Sequence, residues 1–118
     1  DAYIADPLCG FICTTQLWLD FLAGLQHVTP VRNLVQIDND LPLLVIGGDA
    51  DPINHGHRLI DLANALRASG NRAVDIRLYP QARHEVLQEI NYAEVTADIM
   101  RWLDAALAHQ RSMQPIEE

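Results

Sequence analysis

The chain has 118 residues, 49% of them apolar, with 16 acidic and 8 basic side chains and a formal net charge of −8. That length suits one domain or a piece of one, and the apolar fraction excludes a globally disordered chain. The acidic balance argues against nucleic acid or an anionic membrane surface as a partner, and the basic residues, all Arg, are scattered rather than clustered.

Residues 1–13 read as irregular or mixed, with a turn signal at Asp6-Pro7. Cys9 and Cys13, four apart, suit neighbours on a helix face better than a disulfide, and with no further Cys or His close by they make a poor zinc site. Reduced thiols in a cytoplasmic protein are the expectation. Residues 1–7 have neither the basic nor the apolar region of a signal peptide, and no initiator Met, so translation is expected to start upstream of Asp1. No apolar run is long enough to span a membrane.

Thr14 and Thr15 are caps for a helix over about Gln16 to Leu25, with Leu17, Trp18, Phe21, Leu22 and Leu25 on one stripe. Residues 31–40 form a polar connection with up to one helical turn. Leu41 to Ile46 is a continuous apolar run ending at Gly47-Gly48, which predicts a strand buried on both faces in a parallel sheet. Residues 56–69 fit a helix with Leu59, Ile60, Leu62, Ala63 and Leu66 on its apolar face and Gly70-Asn71 as its stop. From Ala73 to Tyr79, Val74, Ile76 and Leu78 alternate with Asp75, Arg77 and Tyr79, a strand with one more polar face, suited to a sheet edge. Pro80 ends it. A helix from about Tyr92 to His109 carries Val95, Ile99, Trp102, Leu103 and Leu107 on one side, and Arg111 to Glu118 reads as a frayed tail. The fold class is α/β: strand, crossover helix and strand give a parallel pair. Two strands do not close a core alone.

Two groups of chemical interest stand at the strand exits, where functional groups of open parallel sheets gather. Gly47-Gly48-Asp49-Ala50-Asp51-Pro52 offers a carboxylate, with Gly47 and Gly48 expected to allow a sharp turn; Ala82-Arg83-His84-Glu85 offers an imidazole. Asp51 suits the role of holding a histidine in one tautomer, and His84 that of a general base. Asp49 is a rival acid, and each residue taken alone also fits a solvated loop position or a helix cap. His55 and His57 with Asp49 and Asp51 are a weak metal signal; no metal and no cofactor is expected. Arg83 has Glu85 and Glu89 as candidate ion-pair partners, and Trp18, Phe21 and Trp102 read as packing residues. An acid followed by a histidine is the order of the last two members of a Ser…Asp…His triad, but Gly-x-Ser-x-Gly is absent from these residues.

The segments Gly47 to Asn54, Leu78 to Asn91 (containing Tyr79-Pro80-Gln81-Ala82-Arg83-His84-Glu85), Glu94-Val95 and Ile99 to Leu103 resemble the C-terminal part of bacterial α/β-hydrolases of the monoacylglycerol-lipase and lysophospholipase type. That group overlaps in sequence with serine aminopeptidase-like hydrolases. Asp6 to Phe11, followed by Trp18, is similar to the end of the cap that the family inserts before its last two catalytic strands. The resemblance implies residues 1–40 as the end of the cap and a connection, 41–110 as the C-terminal part of the core, and 111–118 as the frayed tail. It implies Asp51 as the triad acid and His84 as the triad base, with the Ser nucleophile and oxyanion hole upstream. The expected substrate is then a small acyl ester or lysolipid, turned over by a parent enzyme and not by these 118 residues alone. An exposed strand edge further predicts a homo-oligomer or pairing with the missing N-terminal half. The rival readings are an α/β-hydrolase with an Asp nucleophile, such as a dehalogenase or epoxide hydrolase; a non-enzymatic half-fold for assembly or binding; and a small flavodoxin-like domain.

Overall fold

The computed structural model describes residues 2–28, 30–55 and 57–113. Three helices come first: α1 (Ala2–Ala5), α2 (Thr15–Val28) and α3 (Val31–Leu34). Then follow strand β1 (Leu43–Gly48), helix α4 (His57–Ala68), strand β2 (Val74–Tyr79) and helix α5 (Tyr92–Met113). The expected order holds, with boundaries moved by a few residues, as local signals allow. α5 runs on to Met113, into the segment read as a frayed tail; residues 114–118 lie outside those described.

β1 and β2 pair in parallel, in a register running from Leu43 opposite Val74 to Gly48 opposite Tyr79. Side chains alternate across a strand, so this ribbon has two faces with separate cores. On one face Val45 and Val74 pack with Ala63 and Leu66 of α4 and Leu34 of α3. On the other, Tyr79, Ala82, Val86 and Val95 of α5 form a second cluster, joined by Ile46 and Ile99. β1 was expected to be buried on both faces, yet Leu43, Leu44 and Ile46 are only partly covered. Its second edge has no strand partner among the described residues.

The polar face of β2 carries exposed Asp75 and Arg77 beside buried Tyr79. α5 meets this face: Arg77 and Tyr79 both reach the Asp98 carboxylate, at 2.6 and 3.2 Å, and the Trp102 indole N–H donates to Asp75 at 2.7 Å. Arg101 closes on the same Asp98. The Arg77 and Arg101 hydrogen bonds hold Asp98 below the usual carboxylate range against the effect of its burial. α5 is therefore fixed to the sheet by directional bonds as well as by Val95, and among the described residues β2 is an edge strand, as its alternation suggested.

The opposite ends of the strands are tied by one buried amide. Asn71 donates through Nδ2 to the carbonyls of Asp38 and Leu41, both at 2.9 Å, and its Oδ1 accepts the Ala73 N–H. Gly70, at φ +110°, ends α4 in the left-handed region that glycine adopts without a Cβ penalty. These bonds place both strand entries side by side, and with them both strand exits.

α2 behaves differently. Thr14 caps it by accepting the Leu17 N–H at 3.2 Å, and its apolar spacing makes a helix as expected. However, none of its residues is buried: Trp18, Phe21 and Leu22 are each more than half exposed. The chain extends over 56 × 35 × 31 Å with a Cα radius of gyration of 17.6 Å, against about 13.5 Å for a closed domain of this length.

Candidate active site

The strand register brings Asp51 and His84 together. Both follow the paired strand ends Gly48 and Tyr79, and two backbone bonds continue the pairing past the sheet: Asp49 N–H to Tyr79 O at 3.2 Å and Ala50 N–H to Ala82 O at 3.0 Å. Gly48 permits this approach. A Cβ built there would lie 1.9 Å from the Ala82 carbonyl oxygen, while at Gly47 it would lie 2.3 Å from Leu59. Neither glycine has a positive φ. Their contribution is space for the neighbouring backbone and side chain, not the sharp turn that the sequence suggested.

Asp51 is 1% exposed and its carboxylate is fully engaged. Oδ1 accepts the Ile53 N–H at 2.8 Å, closing an Asx turn. Oδ2 accepts the Asn54 side-chain amide at 2.5 Å and the His84 Nδ1–H at 2.9 Å. Burial acts to raise its pKa, but the bonds from His84, Ile53 and Asn54, with the charge of His84, outweigh it and hold Asp51 below the ordinary carboxylate value. It is thus an anion at neutral pH. His84 shifts the other way: the hydrogen bond to Asp51 and then the attraction of that charge raise its pKa, against a smaller effect of burial.

The contact settles the tautomer, because a carboxylate anion offers Nδ1 only an acceptor. Nδ1 carries the proton, and Nε2 of the neutral ring is left to accept one. The His84 side chain is 52% exposed, and beside it Pro52, Arg83, Glu85 and Glu89 line an open depression of about 280 Å³. An exposed imidazole with a fixed tautomer, oriented by a buried anion, can take a proton from a hydroxyl brought to Nε2 and return it to a leaving group.

The other candidates fall elsewhere. Asp49, the rival acid, accepts the Gln81 N–H at 2.6 Å, while the His84 Nδ1 pairs with Asp51. His55 and His57 stack on each other with ring centroids 6.2 Å apart, and among the described residues no three metal-ligating side chains converge. Arg83 pairs with Glu89, not Glu85. A larger cavity of about 520 Å³ sits at the opposite ends of the strands, lined by residues that include Leu41, Ala73 and His109; its charged pair Arg72–Asp40 is closed on itself. Sequence reasoning passed over Asn54 as a partner of Asp51, although an Asp followed three residues later by Asn was the available signal.

The sequence profile of the family described as "Serine aminopeptidase, S33" matches residues 1–91 of the 118. Among solved structures, a highly thermostable carboxyl esterase from Bacillus coagulans, in complex with glycerol, superposes with a TM-score of 0.80 at 21% identity. That match takes in 87% of this chain but only 34% of the esterase, so the chain spans about a third of its length. At this identity the likeness concerns the fold: the strands, helices and their order are those of an α/β-hydrolase. No curated protein matches the sequence significantly. With more than half of its length matched by the profile, the chain belongs to the serine aminopeptidase family of α/β-hydrolases.

Proposed function

We propose that these residues are the acid–base part of a serine-type hydrolase of carboxylic esters, of the lysophospholipase or monoacylglycerol-lipase kind. The observation that carries the reading is the 2.9 Å contact between the exposed His84 and the buried Asp51. In the reaction, a serine hydroxyl gives its proton to His84 Nε2 while its oxygen attacks the ester carbonyl. Asp51 stabilises the imidazolium that forms, and His84 then protonates the departing alcohol. Water repeats the cycle on the acyl-enzyme.

The nucleophile is assigned to a segment outside these residues. The chain has two serines, Ser69 and Ser112, neither in Gly-x-Ser-x-Gly, and their hydroxyls donate to the helix carbonyls of Leu66 and His109. The 118 residues alone are therefore proposed to be inactive. Residues 1–40 are assigned to the end of a cap and residues 41–110 to the core. Cys9 and Cys13, both free thiols, fit a reducing cytoplasm. No helix among the described residues is long and apolar enough to cross a membrane.

The coding sequence upstream of Asp1 tests the proposal. A frame that continues into Gly-x-Ser-x-Gly, and a product that loses aryl-ester hydrolysis on His84→Ala, supports it; a frame that opens near residue 1 without that motif refutes it. In that event a second reading takes over, assembly of this half-fold through the free edge of β1 with a second copy. The open edge and the uncovered α2 favour it, and a monomer in sedimentation well above micromolar concentration would exclude it.

A further inference from the structure

His84 stands on a loop that nothing obvious stiffens. Gln81, Arg83, His84 and Glu85 are all exposed, and the loop opens on a turn with Pro80 second, Gln81 third and an Ala82 N–H to Tyr79 O bond of 3.3 Å. A turn of this kind calls for glycine at its third position. Here Gln81 takes the place at φ +61°, a conformation costly for a residue with a Cβ. Strain of this sort persists where surrounding bonds over-determine the backbone.

Two carboxylates supply those bonds. Asp49 Oδ1, from the neighbouring strand exit, accepts the Gln81 N–H at 2.6 Å. Glu89 Oε1, from the turn before α5, accepts the Arg83 N–H at 2.9 Å and the Arg83 Nε–H at 3.3 Å. Between them Ala82 is 3% exposed and its carbonyl takes the Ala50 N–H. Three consecutive residues before His84 are thus held from two sides, by groups that do not touch the imidazole.

We propose that Asp49 and Glu89 are positioning residues, a pair of carboxylates that clamp the backbone of the His84 loop and so set the imidazole on Asp51. This rests on the reading of Asp51 and His84 as an acid–base pair. Asp49 then has a purpose that differs from that of Asp51 two residues later: one carboxylate holds the main chain of the loop, the other holds its ring. Glu89 has the weaker part, since its oxygen is shared with the Arg83 guanidinium.

Two measurements on the full chain test the clamp. The first is amide hydrogen exchange of the unmodified protein. The Gln81 and Arg83 N–H groups, in an exposed loop, should exchange about tenfold or more slowly than free amides, as bonds to charged acceptors imply; exchange at the free rate overturns the proposal without any variant. The second is the titration of His84 followed by side-chain NMR, with the low-field Nδ1–H signal as its signature. Asp49→Ala should erase that signal and move the midpoint down towards the ordinary imidazole value of about 6.5. Asp49→Asn, which keeps an acceptor oxygen but removes the charge, should retain the signal and most of the shift. Glu89→Ala and Glu89→Gln should repeat the pattern with a smaller displacement. If Ala and Asn act alike at position 49, only charge is at work and the clamp is overturned. Asp51→Asn separates the two readings. If it leaves the midpoint in place, the acid–base pair fails and takes the purpose of the clamp with it. If it moves the midpoint while Asp49→Ala does not, the clamp alone falls.

Discussion

The strand exits and α2 have similar credentials in the sequence and opposite fates in the structure. Around Gly48, Asp51 and His84 no buried side-chain nitrogen or oxygen of the described residues lacks a hydrogen-bond partner, and Val95 and Asp51 are sealed from solvent. α2 has an equally regular apolar pattern, yet Leu17, Trp18, Phe21, Leu22 and Leu25 all remain at least 43% exposed. Periodicity makes an amphipathic helix but supplies no surface for it to cover. The strand exits are built by pairing within the chain; α2 touches α3 but buries none of its residues.

That contrast can be broken or sharpened by substitution. The largest effect is expected on activity in the protein carrying the complete site: His84→Ala should lower ester hydrolysis by about a million-fold and Asp51→Asn by about ten-thousand-fold. Retention of most of the rate by either variant would refute their catalytic assignment. Next comes Gly48→Ala, whose methyl would run into the Ala82 carbonyl 1.9 Å away. It should cost about 1–3 kcal/mol, read from the urea midpoint, and loosen His84 as the loop backs away. Val95→Ala should cost about 2 kcal/mol through the cavity it leaves between α5 and the sheet.

A smaller effect follows from protonation. The His84 pKa is raised in the folded chain, so the stability drawn from its pairing with Asp51 is complete below about pH 6.5, the unfolded value. That contribution declines as pH rises through the elevated folded value. The depressed pKa of Asp51 gives a contribution present above about pH 3.9 and lost as pH falls through the lowered value. Thermal unfolding from pH 5 to 9 should show the alkaline decline, and Asp51→Asn should flatten it. In turnover the sign is reversed in its consequence: a general base must be neutral, so the acid limb of kcat/KM should lie above the ordinary imidazole pKa. The smallest effect belongs to α2. Leu22→Ser, at a position 54% exposed, should change stability by no more than about 0.5 kcal/mol. A large loss there would show that a partner, such as a second copy, covers this face in solution.

The sequence alone determined the order of the elements and the exits of both strands. Each of these rests on local signals: an apolar run of a set length, a period of 2 or 3.6, a Gly-Gly or Pro that stops a strand. The assignment of Asp51 and His84 came from the resemblance of their motifs to those of a family. Tertiary structure decided which carboxylate does what. Asp49 and Asp51 are two residues apart and chemically alike, and only the parallel register, which sets Gly48 against Tyr79, directs one to the Gln81 N–H and the other to the imidazole. The same holds for the polar face of β2, whose Arg77 finds Asp98 on α5, beyond the His84 loop. The physical reason is common to both. Hydrophobic periodicity is encoded within a few residues, whereas the partner of a polar group is fixed by where distant backbone segments come to lie.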